Sequence, residues 1–246
     1  MHRFYVNSNQ INEDIVTITG HDVNHIKNVL RMKQGEEIVI CNGHGKDCYC
    51  IINKVSDSEV LARIESQQDT GTELNAKITL FQGIPKKDKM ELIIQKAVEL
   101  GVYEIVPVMT RRVVVKLEDK KKEEKKIERW QAIAEGAAKQ SGRGIIPTIL
   151  PVQTYKEAIK NAANMDLGII PYENAKGMNY TREIMDKLVQ HKSIAVFIGP
   201  EGGFEEGEVE LAMANQILPI TLGRRILRTE TAGLSVLSMM VLKLDE

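Results

Sequence analysis

Up to about Ser66 the apolar positions fall in short runs bounded by Gly and Asp turns, which predicts a β-rich module with one helix. Arg3-Phe-Tyr-Val reads as the first strand, and Asp22 to Leu30 as a helix in which Ile26 and Leu30 share a face. The runs Glu37-Ile-Val-Ile-Cys, Cys48-Tyr-Cys-Ile-Ile and Glu59-Val-Leu-Ala-Arg-Ile complete a small barrel, with Asn42-Gly43 at a hairpin turn. Ser66 to Asn75 has no periodicity and carries turn residues, so it reads as a linker. Beyond it strands alternate with helices, the mark of an α/β domain with a mainly parallel sheet. Its strands are expected at Lys77 to Gln82, Glu104 to Met109, Ile145 to Leu150, Asp166 to Ile170, Ile194 to Ile198 and Ile217 to Leu222. A helix from Lys89 to Leu100 has a capping-box-like start at Asp88 and Glu91, and Gly101 as its stop. The expected organisation is a small β-barrel domain over 1–70 and an α/β domain over 74–246.

A length of 246 residues suits two domains, since a typical one spans roughly 100 to 200 residues. The opening segment lacks the apolar region of a signal peptide, and Gly233 to Leu242 is well short of the roughly 20 residues a membrane span needs. A cytosolic chain without a membrane partner is expected. Cys41, Cys48 and Cys50 cluster around His44, but their spacing fits no zinc pattern, and Cys48 and Cys50 share a strand face. Reduced thiols and no metal are expected. The formal net charge of −1 gives a nucleic-acid partner no support from bulk charge, so any such partner must be argued from local patches. The run Lys116 to Arg129 mixes signs, with a Glu118–Lys122 pair at helical spacing, and reads as a solvated helix face. Glu99, on an amphipathic helix, reads as part of a surface ion pair with Lys96 or a neighbour.

Two glycine-containing loops carry the candidate chemistry. Gly199-Pro-Glu-Gly-Gly203 joins a strand to a helix, a place that ordinarily favours a phosphate. Here Glu201, Glu205 and Glu206 crowd it, no Lys follows the glycines, and the spacing is not G-x-G-x-x-G, so a nucleotide phosphate is disfavoured. The second loop, Leu222-Gly-Arg-Arg-Ile-Leu-Arg228, leads into a helix opened by Thr229-Glu-Thr-Ala. In a doubly wound sheet two such loops converge on one crevice. Apolar Leu222, Ile226 and Leu227 with acidic Glu201 and Glu230 suit a ligand with a flat apolar ring and a cationic centre, such as a sulfonium. Gly199 and Gly223 would let the backbone approach that ligand closely. The two acids also suit plain helix capping.

The pair Ile198-Gly-Pro-Glu-Gly-Gly-Phe204 and Leu222-Gly-Arg-Arg-Ile-Leu-Arg-Thr-Glu-Thr-Ala232 closely resembles the signature segments of the SPOUT methyltransferases, specifically the RsmE family. The resemblance extends to Arg3-Phe-Tyr and His25 to Arg31, like that family's PUA-like RNA-binding domain, and to Lys96 to Gly101, Thr110-Arg-Arg112 and Glu135 to Arg143. It implies S-adenosylmethionine-dependent methylation of N3 of a uridine in 16S ribosomal RNA of the small subunit. It also implies a C-terminal trefoil knot and a homodimer whose interface includes the helix Ala232 to Leu242. Residues expected at the cofactor are Gly199, Pro200, Glu201, Gly202, Leu222, Gly223, Arg224, Ile226, Leu227, Arg228, Thr231 and Ala232, with Tyr172 and Glu173 as further crevice residues. Arg228 is the expected charge stabiliser and Glu230 the expected base. RNA contact is expected from Arg3, Lys27, Arg31, Arg111, Arg112, Gln140 and Arg143, the last because it sits in a tight turn. Arg112 stands where the family commonly has Ser and Gly136 where Ala is common, departures expected to leave the cofactor site undisturbed. A non-catalytic RNA-binding assembly factor and a nucleotide-binding enzyme are the rival readings.

Overall fold

The computed structural model describes residues 1–114 and 119–245. The chain forms two compact units, one of Met1–Glu73 with Gly142–Ile146, the other of Leu74–Ser141 with Pro147–Glu246.

The first unit holds β1 (His2–Tyr5), β2 (Ile11–Asn12), β3 (Ile15–Thr19), helix α1 (His21–Asn24), β4 (Glu37–Cys41), β5 (Lys46–Val55) and β6 (Glu59–Asp69). They form one mixed sheet in the order β1-β4-β5-β6-β3-β2, parallel only between β1 and β4. Among the described residues no ladder joins β1 to β2, so the expected barrel is not closed by backbone pairing. Curvature comes instead from the long β5–β6 pair, whose register shifts at Tyr49/Cys50 and Ile52/Lys54 bend the sheet over Phe4, Ile18, Ile38, Ile40 and Ile52. Cys48 and Cys50 lie in that core. The helix expected over Asp22 to Leu30 is a single α-turn followed by a π-turn at His25–Val29, and Arg31, at φ 55°, ends it. The widened turn keeps Val23, Ile26 and Met32 buried while Val29 faces out.

Part of the expected strand Ile145 to Leu150 belongs to this unit. Gly45 N donates to Gly144 O at 2.8 Å, and His44 bridges Ile145, whereas only Thr148–Ile149 is strand in the second unit. Pro147, without an N–H, separates the two pieces.

The second unit contains β7 (Lys77–Gly83), α2 (Lys89–Glu99), β8 (Glu104–Met109), α3 (Lys120–Ser141), β9 (Thr148–Ile149), β10 (Gln153–Thr154), α4 (Tyr155–Ala162) and β11 (Leu167–Pro171). It continues with α5 (Met178–Asp186), β12 (Ser193–Ile198), α6 (Glu206–Ala214), β13 (Ile217–Ile220) and α7 (Thr229–Leu244). The sheet order is β10-β8-β7-β12-β11-β13, with β9 also on β8, and every pairing is parallel. All carboxyl ends therefore emerge on one edge. Phe81 and Phe197 stack at 4.6 Å between centroids on neighbouring β7 and β12, and Tyr155 packs edge-on against Phe197. Asp88 occupies the N-cap of α2 without a side-chain cap bond, Gly101 follows its end at φ 82°, and Lys96 pairs with Glu99 at 2.7 Å. The expected Glu118–Lys122 pair lies outside the described residues. Helix α7 buries Gly233, Val236, Leu237, Met240 and Leu244 on one face and leaves Leu242 exposed. Among the described residues no helix is long and apolar enough to cross a membrane.

Candidate functional site

Loops after β7, β8, β11, β12 and β13 meet at the carboxyl edge of the parallel sheet, and side chains at the starts of α6 and α7 hold them. In the loop after β12, Gly203 N donates to Pro200 O at 2.9 Å with Gly203 at φ 68°. Phe204, buried against Tyr155 at 5.7 Å between centroids, anchors the loop. Buried Thr229, at the start of α7, donates to Gly199 O at 2.6 Å and accepts from Gln82 Nε2 at 3.0 Å. One hydroxyl thus ties the ends of β7 and β12 to the last helix. Thr181 does the same for the loop after β13, donating to Thr221 O and accepting from Thr221 N, both at 3.1 Å. Gly223 lies at φ 109°, backbone space that glycine enters freely.

The acids around the glycine loop are mostly committed to structure. Glu205 and Glu208 form a reciprocal capping box at α6, and buried Glu208 accepts from Glu205 N and Arg111 N, each at 2.9 Å. The helix start that would otherwise attract a phosphate is thereby satisfied internally. Glu201 accepts from Lys86 N at 3.1 Å and pairs with Lys89 Nζ at 3.2 Å; Lys89 lies 3.4 Å from Glu230 as well. Burial alone would raise the Glu201 carboxyl, but hydrogen bonds from its own N–H and that of Lys86, with Lys89 beside it, hold it below the usual range. Sequence reasoning missed Lys89. Nothing in a Lys-Lys-Asp-Lys run tells which lysine will face two distant acids.

Two adjoining cavities occupy the edge, of about 190 and 240 Å3. Pro171, Tyr172, Glu173, Ile226, Leu227 and Ala232 line both, so they are parts of one crevice. Of the expected cofactor residues, Gly199, Pro200, Glu201 and Gly202 line the first part, Leu222, Gly223 and Arg224 the second, and Ile226, Leu227 and Ala232 both. Arg228 and Thr231 line neither. Glu230, the expected base, is likewise off the crevice wall, drawn toward Lys89 by charge. The two glycines have different surroundings. A Cβ at Gly199 would stand 3.0 Å from the backbone of Gly203, within its own loop, and one at Gly223 would meet open space. Loop closure thus requires glycine at 199, and its φ favours glycine at 223. Arg112, a departure expected to leave the site undisturbed, lines the crevice and donates to Gly202 O at 2.6 Å.

The residues expected at RNA divide by what they already hold. Arg143 is only 3% exposed and ion-paired with Glu73, which also accepts from Gly144 N at 3.0 Å and Ile145 N at 3.2 Å. A guanidinium so placed fastens the 142–146 segment inside the first unit and is not presented to a phosphate. Arg3 pairs with Asp47 at 2.8 Å and donates to Tyr5 and to Gly142 O. Lys27 pairs with Asp57, and Arg111 with Glu205 at 3.3 Å. Arg31 and Gln140 are exposed. Arg224, Arg225 and Arg228 are exposed and have no side-chain partner among the described residues. Also among them, no group of three or more His, Cys, Asp or Glu is placed to hold a metal ion. The three cysteines are reduced and buried, and burial pushes the Cys50 thiol up to about 12.

An RNA methyltransferase domain family matches residues 72–241, and an RNA methyltransferase PUA domain family matches 18–65. The chain is 36% identical over 244 residues to the ribosomal RNA small subunit methyltransferase E of Bacillus subtilis, covering 97% of this chain and 95% of that one. Among solved structures, a ribosomal RNA small subunit methyltransferase E from Neisseria gonorrhoeae bound to S-adenosyl methionine is 33% identical with a TM-score of 0.82, covering 98% of this chain and 97% of that one. A putative methyltransferase from Legionella pneumophila, in complex with the same cofactor, is 35% identical with a TM-score of 0.80, covering 98% and 96%. With two family models laid end to end over the two units and full-length likeness at this identity, the chain belongs to the ribosomal RNA small subunit methyltransferase E family.

Proposed function

We propose that this chain transfers a methyl group from S-adenosylmethionine to N3 of a uridine in 16S ribosomal RNA of the small subunit. The observation that carries this is the crevice at the carboxyl edge of the parallel sheet, walled by the 199–204 and 221–227 loops. The crevice fits the cofactor. Its two parts are together of the order of the roughly 300–1,000 Å3 of ligand pockets. Leu222, Ile226, Leu227 and Phe204 offer apolar contact for a flat ring, and Glu201, held ionised, offers a negative charge to a cation. Gly199 to Gly202, Leu222, Gly223, Ile226, Leu227 and Ala232 would hold it. When bound, the cofactor supplies a methyl group on a positively charged sulfur.

The remaining work is the protein's own: positioning the base, excluding water and favouring loss of the N3 proton. Exposed Arg224, Arg225 and Arg228 suit phosphate contacts at the mouth, with Arg31 a candidate on the PUA-like unit. A formal charge of −1 makes recognition depend on shape as well as charge, which favours an assembled subunit over loose RNA. Glu230 can serve as base only by leaving Lys89. Isothermal titration with S-adenosylmethionine, followed by mass mapping of nucleosides from treated small subunits, tests the reading. Methyl transfer to a carbon or a ribose oxygen, or binding of ATP with no response to the methionine cofactor, would overturn it.

The same reading includes a knotted C-terminal path, supported by the Thr229 hydroxyl joining α7 to Gly199 and Gln82, and domain boundaries at 1–70 and 74–246. It also includes a homodimer through α7, supported by a helix that leaves Leu242 76% exposed beside half-buried Leu234, Met239 and Val241. A monomer by sedimentation at micromolar concentration removes the dimer.

A further inference from the structure

We infer that Arg112 is a catalytic residue that contacts the uracil and stabilises the negative charge left when N3 loses its proton; this rests on the methyl-transfer reading above. Among the described residues, Arg112 is the only cation lining the part of the crevice formed with Gly199 to Phe204, whereas Arg228 does not line it at all. Its guanidinium is also fixed. Nη1 donates to Gly202 O at 2.6 Å, and its Cβ and Cδ lie 3.2 Å from where a Gly202 Cβ would stand. The backbone beneath it is held in turn: Glu208, buried on α6, accepts from Arg111 N at 2.9 Å, and Val113 N closes a turn on Thr110 O at 3.2 Å. One of the five N–H groups of a guanidinium is used, and no other partner exists among the described residues. The others form a planar donor fork on a preorganised support, the form that favours developing oxyanion charge. Arg112 is itself exposed, but Arg224 and Arg225 have no such tether, so they lack that preorganisation and suit phosphates.

In the step this serves, the N3–H bond breaks and its proton passes to solvent, leaving charge shared over N3 and its flanking carbonyl oxygens. The nitrogen pair then forms the bond to the methyl carbon as the carbon–sulfur bond breaks with its electrons on sulfur. Uracil anion and sulfonium become two neutral products. Arg112 lowers the cost of the anionic state through hydrogen bonds to a carbonyl oxygen beside N3.

The other charged or titratable groups facing this part of the crevice are Glu201, Tyr172 and Glu173; Arg111, Glu205 and Glu208 flank it. Single-turnover methylation of small subunits should therefore be followed between about pH 6 and 9, above the carboxylate range. The wild-type rate should rise with pH and level off. Arg112→Gln should level off at higher pH, with a deficit of about tenfold per unit of lost pKa depression at the low end that shrinks toward the high end. Arg112→Lys, which keeps a charge, should fall between the two, and any loss of cofactor affinity from the broken Gly202 contact should be the same at every pH by calorimetry. A wild-type profile for Arg112→Gln overturns the inference, as does a deficit constant with pH or a defect confined to cofactor affinity. A wild-type protein that transfers no methyl group defeats the parent reading as well.

Discussion

Replacing Gly83 by Ala should disable cofactor binding from outside the crevice. A Cβ at this last residue of β7 would stand 2.6 Å from Pro200 Cδ, 2.7 Å from Pro200 N and 3.1 Å from Gly199 C. Carbon atoms settle at about 3.5 Å or more, so one partner must move by about 0.9 Å. The obstacles are a proline ring and main chain, and neither can rotate away. Gly83 is held by the ladder to β8, so the displacement falls on the loop opening at Gly199. Overpacking of this kind costs about 1–3 kcal/mol, and in a domain of this size each kcal/mol lowers Tm by about 2–4 °C. A loop moved by nearly 1 Å also loses the geometry it presents to a ligand, which is worth up to about a hundredfold. The assay is titration calorimetry with S-adenosylmethionine beside thermal melting. Gly233→Ala is the matched control on α7, because its Cβ would meet Ile198 and Gln82 at 3.8 and 3.9 Å, ordinary contacts, and the helix gains up to about 1 kcal/mol. Wild-type affinity and Tm for Gly83→Ala would show that the loop at Gly199 and Pro200 tolerates the added methyl.

Arg143→Ala should cost about 3–5 kcal/mol, because it breaks a pair whose arginine side chain is 4% exposed; the readout is urea unfolding, and a change under about 1 kcal/mol would return Arg143 to the RNA contacts. Glu201, with its pKa depressed from 4.5 by backbone N–H groups and Lys89, contributes stability that is complete above that value and is lost as pH falls through the depressed pKa. Melting curves of wild type and Glu201→Gln should thus differ near neutrality and converge in acid; parallel curves would show that the carboxylate adds nothing. The buried thiols, with Cys50 pushed up to about 12, should resist a disulfide reagent at mildly alkaline pH until the protein is denatured, and fast reaction of the folded chain would contradict the packing of β4 and β5.

Much of this protein is legible in its sequence because local pattern carries it. Apolar runs of strand length alternating with helical spacing announce a parallel sheet, and two glycine loops after successive sheet strands announce a crevice at the carboxyl edge. Those features depend on neighbours within a few residues of one another. What the sequence could not disclose depends on residues far apart in the chain. Arg143 reads as a loop cation, and only the fold brings Glu73 to it and buries the pair. Lys89 reads as the first residue of a helix, yet its ammonium stands near both Glu201 and Glu230 and draws the expected base off the crevice wall. Arg112 reads as a harmless departure until Glu208 on α6 holds its loop and Gly202 O receives its guanidinium. In each case the residue type supplies a charge, and the partner that decides what the charge does is chosen by tertiary packing. At Arg143 burial makes that choice binding, because a desolvated charge must be paired where it lies, whereas an exposed one stays free to meet RNA.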